Sequence, residues 1–476
     1  MACTPPKTPG VYISEPGSFP PSIVGVDTAV PAFIGYTDRA NDKGKDLNCV
    51  PMKISSVADY AAMFGGNLTR RYSLLGAAGV PEEGARIIGT IQLDEGECKL
   101  VGGPHDRFNL YNSLRLFYAN GGGDCYIVSC GSYGGESGAT SVEKAALLEG
   151  LAAVTNVVGP TMLVAPDAVL LPEGADHAEV VVAMLNQCLE KRDRVAILDV
   201  WGAEALRPGD DIGSIVAGFR DGLAGAPPES LQFGMAYFPF LQTSIVPSGE
   251  ISAGDFAPAA GMQAVVAGTP GFAALAQLAA RDQSLLPPSG AMAGIYTAND
   301  SLIGVWNAPA NVGIAQAIGP TLQITADQQE DLNAPSGGMS INAIRTFVNR
   351  GTLVWGARTL DGNSNDWRYV QVRRTMIYVE QSVKTALNNF AFAPNTAQTW
   401  VTVTSTIESF LHGLWAAGGL MGSSPEQAYG VQCGLGSTMT PDDVLDGKMI
   451  VQVVLQMVHP AEFMELTFLQ EMLGGA

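Results

Sequence analysis

Charge, histidine and paired cysteine are scarce in this 476-residue chain. Only 15% of its residues are charged, and 46 acidic residues against 26 Lys and Arg give a net charge of -20. That charge repels phosphate backbones and anionic lipids, so nucleic acid is not an expected partner. Four histidines without a His or Cys at ligand spacing, and seven cysteines without a CxxC pair, predict neither a metal site nor a disulfide framework. We expect no cofactor.

Long apolar runs are also missing. The longest uncharged stretch, residues 256–280, is rich in Ala and Gly and is interrupted by Pro and Gln, so it does not predict a transmembrane helix. The first residues, "MACTPPKTPGVYIS", lack the apolar centre of a secretory signal. We therefore expect assembly in the cytoplasm without membrane insertion. The mean hydropathy of +0.16 predicts that some apolar surface needs a partner.

The sequence patterns of common active sites are absent too. Gly44-Lys45 and Gly447-Lys448 are followed by Asp and Met, so neither completes a phosphate-binding GxxxxGK[ST] loop. There is no GxSxG, HExxH or GxGxxG. These absences favour a chain that is not an enzyme. An enzyme with an atypical α/β active site remains an alternative, because a fold does not determine function.

Four repeats of a helical pattern followed by a short apolar run occupy residues 106–240. In the first, "RFNLYNSLRLFYANGGG" precedes "CYIVSC", and Leu110, Leu114 and Phe117 share one helix face. This alternation predicts a parallel sheet with helices on its faces, hence an α/β fold class that is α+β overall. Residues 241–335 are rich in Ala, Gly and Pro and predict one helix, at "AALAQLAARD".

The two ends of the chain carry different signals. Residues 4–35 contain two apolar runs between prolines, which predicts an extended arm and then a strand at a sheet edge. Near the other end, "KMIVQVVLQMV" is apolar on both faces and must be covered on both sides, and the residues after Pro460 predict a further strand. These strands belong either to the chain's own sheet or to the sheet of a neighbouring subunit.

A basic segment interrupts this acidic chain. Seven basic residues against three acidic ones between residues 345 and 384 give a local charge of +4 and leave -24 for the rest. Such a segment predicts a solvated helix face or a docking surface for an acidic partner. The seven are Arg345, Arg350, Arg358, Arg368, Arg373, Arg374 and Lys384.

Both ends resemble the contractile tail sheath proteins of phage tails, pyocins and extracellular contractile injection systems. The amino-terminal likeness lies in "TPGVYI" and "TAVPAFIGY", and the carboxy-terminal likeness includes "DWRYVQVRRTMIYVEQSVK", "FLHGLW" and "HPAEF", in family order. The resemblance implies a structural subunit of a helical sheath of stacked rings, whose contraction drives an inner tube through a target envelope. The implied partners are other copies of the chain, the inner tube protein, the baseplate and tail-terminator or cap proteins. The particle would be released or membrane-anchored, and a non-contractile shell protein remains an alternative.

In that family the terminal segments enter neighbouring subunits and form a shared sheet, while a helix contacts the tube. The arms here would be residues 9–26 and roughly 455–473. The expected inter-subunit strand residues are Val11, Tyr12, Ile13, Ile23, Val24, Val453, Leu455, Met457, Phe463, Leu466 and Phe468. The candidates for facing the tube are Arg368, Arg373, Arg374 and Lys384.

The expected organisation is a conserved inner α/β domain with exchanged terminal strands, into which an outer α/β layer domain is inserted. The inner domain would be built from the amino- and carboxy-terminal segments. The expected boundaries are an arm and first strand (1–35), a small β-rich unit (36–105), the outer α/β domain (106–335), the conserved carboxy-terminal sheath domain (336–454) and an arm strand (455–476).

Overall fold

The computed structural model describes residues 22–93, 96–103, 107–134, 138–139, 141–258 and 265–463. The chain divides into two compact units. The described part of the smaller unit is residues 22–26 and 379–458. The larger unit contains the described residues from 27 to 378 together with 459–463.

Strands and helices alternate through most of the described chain. The strands are β1 (Pro31–Thr37), β2 (Asn41–Asp42), β3 (Lys45–Asp46), β4 (Met52–Ile54), β5 (Tyr72–Gly76), β6 (Arg86–Leu93), β7 (Gly96–Gly102), β8 (Cys125–Ser132), β9 (Met162–Val164), β10 (Val195–Asp199), β11 (Gly234–Phe238), β12 (Leu241–Thr243), β13 (Phe256–Pro258), β14 (Leu285–Leu286), β15 (Ala317–Pro320), β16 (Asn342–Phe347), β17 (Gly351–Val354), β18 (Tyr429–Gln432) and β19 (Gln452–Leu455). The helices are α1 (Val57–Phe64), α2 (Leu110–Ala119), α3 (Lys144–Val154), α4 (Gly174–Lys191), α5 (Gly213–Gly222), α6 (Pro270–Gln283), α7 (Ser289–Ile303), α8 (Ala326–Asn333), α9 (Val370–Leu387), α10 (Ala397–Ala416), α11 (Pro425–Ala428) and α12 (Pro441–Leu445).

An eight-stranded sheet forms the centre of the larger unit, in the order β17-β16-β11-β10-β9-β1-β8-β4. Its inner strands run parallel, and β17 and β4 pair antiparallel at the two edges. The four predicted helix and strand repeats are α2-β8, α3-β9, α4-β10 and α5-β11, and all four strands lie in this sheet. The α/β prediction is therefore confirmed.

Strand β1 lies inside this sheet, between β9 and β8, and all seven of its residues are buried. The prediction that proline confines this strand to a sheet edge is wrong. Pro31 occupies the first position of the strand, where its missing N–H does not interrupt the ladder.

Among the described residues of the larger unit, two further sheets accompany the large sheet and the short β2-β3 pair. One has the order β13-β5-β7-β6 and the other β14-β12-β15. Strands β5 to β7 come from the segment predicted as a small β-rich unit, but β4 of the same segment pairs with β8 in the large sheet. Strand β13, from the middle of the chain, pairs with β5.

Helix α7 was missing from the sequence prediction. Its sequence begins "SGAMAGIY", and these residues are all buried, so there is no polar face to reveal a helical period. Glycine lets it approach α2 closely, since a Cβ added at Gly290 would lie 2.5 Å from the carbonyl oxygen of Ser113. An alanine at this position would force the two helices apart.

Two buried aspartates connect the sheet to helix amino termini. Asp167, after β9, accepts the backbone N–H groups of Tyr36 (2.8 Å) and Leu110 (3.2 Å). Asp199, at the end of β10, accepts the N–H of Ser289 (2.9 Å). Burial raises the pKa of Asp167 to about 6 and that of Asp199 to about 7, although these N–H groups oppose the shift. Both aspartates lie at the carboxyl ends of parallel strands, which is a usual place for ligand sites. Here, however, each carboxylate accepts hydrogen bonds from backbone N–H groups at a helix amino terminus.

We predict that Asp199→Asn weakens the pH dependence of stability between about pH 4 and about pH 7. In this window the folded state binds the Asp199 proton and the unfolded state does not, so stability falls as pH rises, by at most about 1.4 kcal/mol per pH unit for one proton. The measurement is the urea midpoint of the unassembled subunit across that range. Asp211→Asn, at an exposed position, is the control, and an unchanged slope in Asp199→Asn would contradict the prediction.

Candidate functional site

The smaller unit is built around helix α10 and a two-stranded ribbon. Val403, Ile407 and Leu411 recur every four residues of α10 and are buried, which gives the helix one apolar face. The ribbon is the antiparallel pair β18 and β19, with Val431 opposite Val453. Beyond it, Leu420 forms an isolated bridge with Met457.

Within the described part of the smaller unit, residues 22–26 and 379–458, β18 and β19 pair only with each other. A two-stranded sheet is marginal by itself in water, and a free strand edge is a template for another chain. The described residues leave one face of the predicted carboxy-terminal strand uncovered, since Val454 is 54% exposed, so the prediction that both faces are covered stays a prediction that a neighbouring subunit would have to satisfy. The ribbon therefore has unused capacity for pairing and for apolar contact.

Apolar side chains are exposed over much of the smaller unit. A chain that buries large apolar residues elsewhere exposes them in clusters mainly where a partner binds. The exposed ones here are Val24, Phe392, Val401, Met421, Leu435, Leu445, Ile450 and Val454.

The predicted inter-subunit residues lie in three settings. Val453 and Leu455 are half-buried in β19, and Met457 forms the bridge with Leu420, all within the chain itself. Ile23, Val24 and Phe463 are described but lie in no strand, and both Val24 and Phe463 are 78% exposed. The remaining ones, Val11, Tyr12, Ile13, Leu466 and Phe468, lie outside the described residues.

Two of the four candidates for facing the tube are buried in the larger unit. Arg374 pairs with Asp300 at 2.6 Å, donates to the Thr28 carbonyl at 3.0 Å and lies over the Tyr296 ring. Its side chain is 3% exposed and that of Asp300 is 6% exposed. These contacts engage the guanidinium of Arg374 inside its own chain.

Arg373 is the second buried candidate. It donates to Gln232 (3.0 Å), and its guanidinium lies 4.5 Å from the centre of the Trp367 ring. The other two candidates are more accessible. Arg368 is half-buried and donates to the Ser364 carbonyl, whereas Lys384 is exposed on α9.

A buried ion pair that sequence analysis did not predict joins Arg358 to Glu462. Arg358 donates to both carboxylate oxygens, at 2.6 and 3.0 Å, and Asn333 and Tyr369 also donate to Glu462. Burial alone would raise the pKa of Glu462, but the hydrogen bonds from Arg358 and Asn333 outweigh it and hold the pKa below its usual value. The basic segment is thus neither a solvated face nor a docking surface as a whole, because most of its arginines bind groups of their own chain.

The described residues offer little for catalysis. Among them, no group of three or more His, Cys, Asp or Glu side chains is placed to hold a metal ion. A cleft of about 540 Å³ contains Arg70, Arg115 and Glu250, but Arg115 pairs with Glu250 (2.8 Å) and Arg70 with Asp282 (3.1 Å). Within the same described ranges, the helices are all too short or too polar to cross a lipid bilayer.

Comparison with known proteins identifies similar chains. Residues 363–470 match the family model "Phage tail sheath C-terminal domain". The sheath complex of an extracellular contractile injection system, PVC, in its contracted state, is 30% identical with a TM-score of 0.62, over 98% of this chain and 99% of that one. No curated protein sequence matches the chain.

Two structures of the anti-feeding prophage are similar over comparable lengths. The helical sheath in the contracted state is 28% identical with a TM-score of 0.63, and the six-fold symmetrised baseplate is 27% identical with a TM-score of 0.62. In both cases the match covers 98% of this chain and 100% of the other.

We predict that Arg374→Ala destabilises the larger unit by about 3–5 kcal/mol, because it leaves the Asp300 carboxylate buried without its partner. Lys384→Ala, at an exposed position of the same helix, should change stability by about 0.5 kcal/mol or less. Denaturant unfolding of the unassembled subunits measures both. Equal, small effects would mean that the Arg374 pair contributes nothing to the fold.

Proposed function

This chain belongs to the sheath proteins of contractile injection systems, and we propose that its copies join by sharing β-strands at the ribbon of the smaller unit. It is a structural subunit of a contractile sheath. We further propose that the sheath surrounds an inner tube, contacts a baseplate and a cap protein at its ends, and is assembled in the cytoplasm. Contraction would then drive the tube through a target envelope.

Among the described residues no further strand pairs with the outer edges of β18 and β19, and this observation carries the proposal. Terminal segments of neighbouring copies would add strands to this ribbon, where backbone hydrogen bonds give strength and alternate side chains give register. The amino-terminal arm would be residues 9–26. Of the expected carboxy-terminal arm, roughly 455–473, we propose that only the part beyond Glu462 leaves the subunit, because Leu455 lies in β19 and Met457 bridges to Leu420. In this arrangement Val453, Leu455 and Met457 belong to the strands that receive the arms, while Val11 to Ile13, Ile23, Val24, Phe463, Leu466 and Phe468 belong to the arms themselves.

The energy for contraction would come from two packings of the same subunits. Interfaces and packed cores have discrete arrangements, so a helical lattice can be held in one and released into another. Strand sharing suits this task because it keeps neighbours joined while the bodies of the subunits move. No nucleotide is needed for such a transition.

An enzyme is the less favoured alternative. The similar chains are sheath and baseplate components, and the charged groups in the cleft near Arg115 are paired with each other. We propose no catalytic role for this chain.

We predict that Val454→Asp prevents sheath formation and leaves the subunit folded. Val454 is on the ribbon and already exposed, so the charge costs the single chain little, whereas in a shared sheet it would be buried against a neighbour. The measurements are electron microscopy of purified protein and circular dichroism. Val158→Asp, 90% exposed in the larger unit, is the matched control and should assemble. Normal sheaths from Val454→Asp would refute strand sharing at this ribbon.

The tube contact rests on the accessible basic side chains. We keep Arg368 and Lys384 as candidates, since Arg373 and Arg374 are engaged within their own chain. We predict that Lys384→Glu lowers the fraction of sheaths that contain a tube when both proteins are expressed together, because it reverses a charge at the contact. Lys45→Glu, exposed in the larger unit, should not. Equal tube occupancy in the two variants would remove Lys384 from the contact.

A further inference from the structure

The buried arginines of the basic segment meet the chain where the two arms begin. We propose that Arg358 and Arg374 are anchors that fix the roots of the carboxy-terminal and amino-terminal arms, so that a pull on an arm is carried into the larger unit. This inference rests on the proposed strand sharing. It gives the basic segment a role other than the two that its sequence predicted, which were a solvated helix face and a docking surface for an acidic partner.

The carboxy-terminal root is held mainly through Glu462. Its neighbours Ala461 and Phe463 are exposed, whereas the Glu462 side chain is 20% exposed and receives hydrogen bonds from Arg358, Asn333 and Tyr369. Arg358 is itself 6% exposed and also donates to the Asn333 carbonyl (3.1 Å). A bidentate Arg–carboxylate pair fixes direction as well as distance, as an anchor must.

The amino-terminal root is held at Thr28. The Thr28 carbonyl accepts hydrogen bonds from Arg374 (3.0 Å) and from the Thr161 hydroxyl (3.0 Å). Asp300 orients Arg374 through two bonds to the same guanidinium. From Val30 onward the chain is tied to the large sheet, so Thr28 is close to the last point before the arm.

The pair of Arg358 with Glu462 differs from a buried ion pair that only stabilises the core. Asp282 binds Arg70 and Arg86. Asp282 lies in α6, Arg86 lies in β6, and Arg70 lies just before β5. Residues 459–463, by contrast, lie in no helix or strand. Loss of the Arg358 pair should therefore release the arm before it unfolds the body.

The test compares Glu462→Gln with the matched control Asp282→Asn in the full-length chain. Both remove one buried carboxylate charge from arginine. Sheath yield after ultracentrifugation and the melting temperature of the unassembled subunit are measured for each, beside the wild type. We expect Glu462→Gln to lower sheath yield about tenfold, about 1.4 kcal/mol in assembly, while Asp282→Asn melts lower but still assembles.

Milder variants keep the test decisive if Glu462→Gln does not fold. Arg358→Lys keeps the charge but loses the bidentate fork, and we expect an intermediate loss of sheath yield. Asp300→Asn tests the amino-terminal anchor in the same way. Wild-type sheath yield in Glu462→Gln and Arg358→Lys would overturn the anchor, whereas a wild-type chain that forms no sheaths would instead overturn the proposed function.

Discussion

The backbone of a two-stranded ribbon has hydrogen-bonding groups on two outer edges that the ribbon itself does not use. In this chain β18 and β19 pair only with each other among the described residues, and Val454 within β19 is exposed. Water satisfies such edges, but another strand does so while also burying apolar surface. The strand sharing that we propose would use these edges, because strands from other copies of the chain would extend the ribbon.

The larger unit, in contrast to the ribbon, contains an eight-stranded sheet in which six strands have a partner on both sides. Its parallel sheet is covered by helices, and buried aspartates connect strand ends to helix amino termini. Buried ion pairs, such as Arg374 with Asp300, hold segments that are far apart in sequence. Burial of these pairs costs desolvation, so the net stability that a pair contributes is smaller than the free energy lost when one partner is removed.

Sequence analysis succeeded where a segment carried a strong period. The helix and strand repeats between residues 106 and 240 have large apolar residues at clear spacings, and they were predicted. It failed for α7, whose Ser, Gly and Ala residues hide the helical period, and for β1, whose place inside the sheet depends on partners more than 90 residues away. It also favoured a surface role for Arg373 and Arg374, because charge alone does not reveal burial.

The amino-acid sequence by itself determined the α/β class, the helices and strands of the four repeats and the likeness to contractile sheath proteins, since periodicity and motifs are local properties. Tertiary structure alone decided which arginines are accessible, that Arg358 meets Glu462, and that β19 pairs only with β18 within the described part of the chain. The physical reason is that these features join residues far apart along the chain, and the free energy of each contact depends on what surrounds it once the chain has folded.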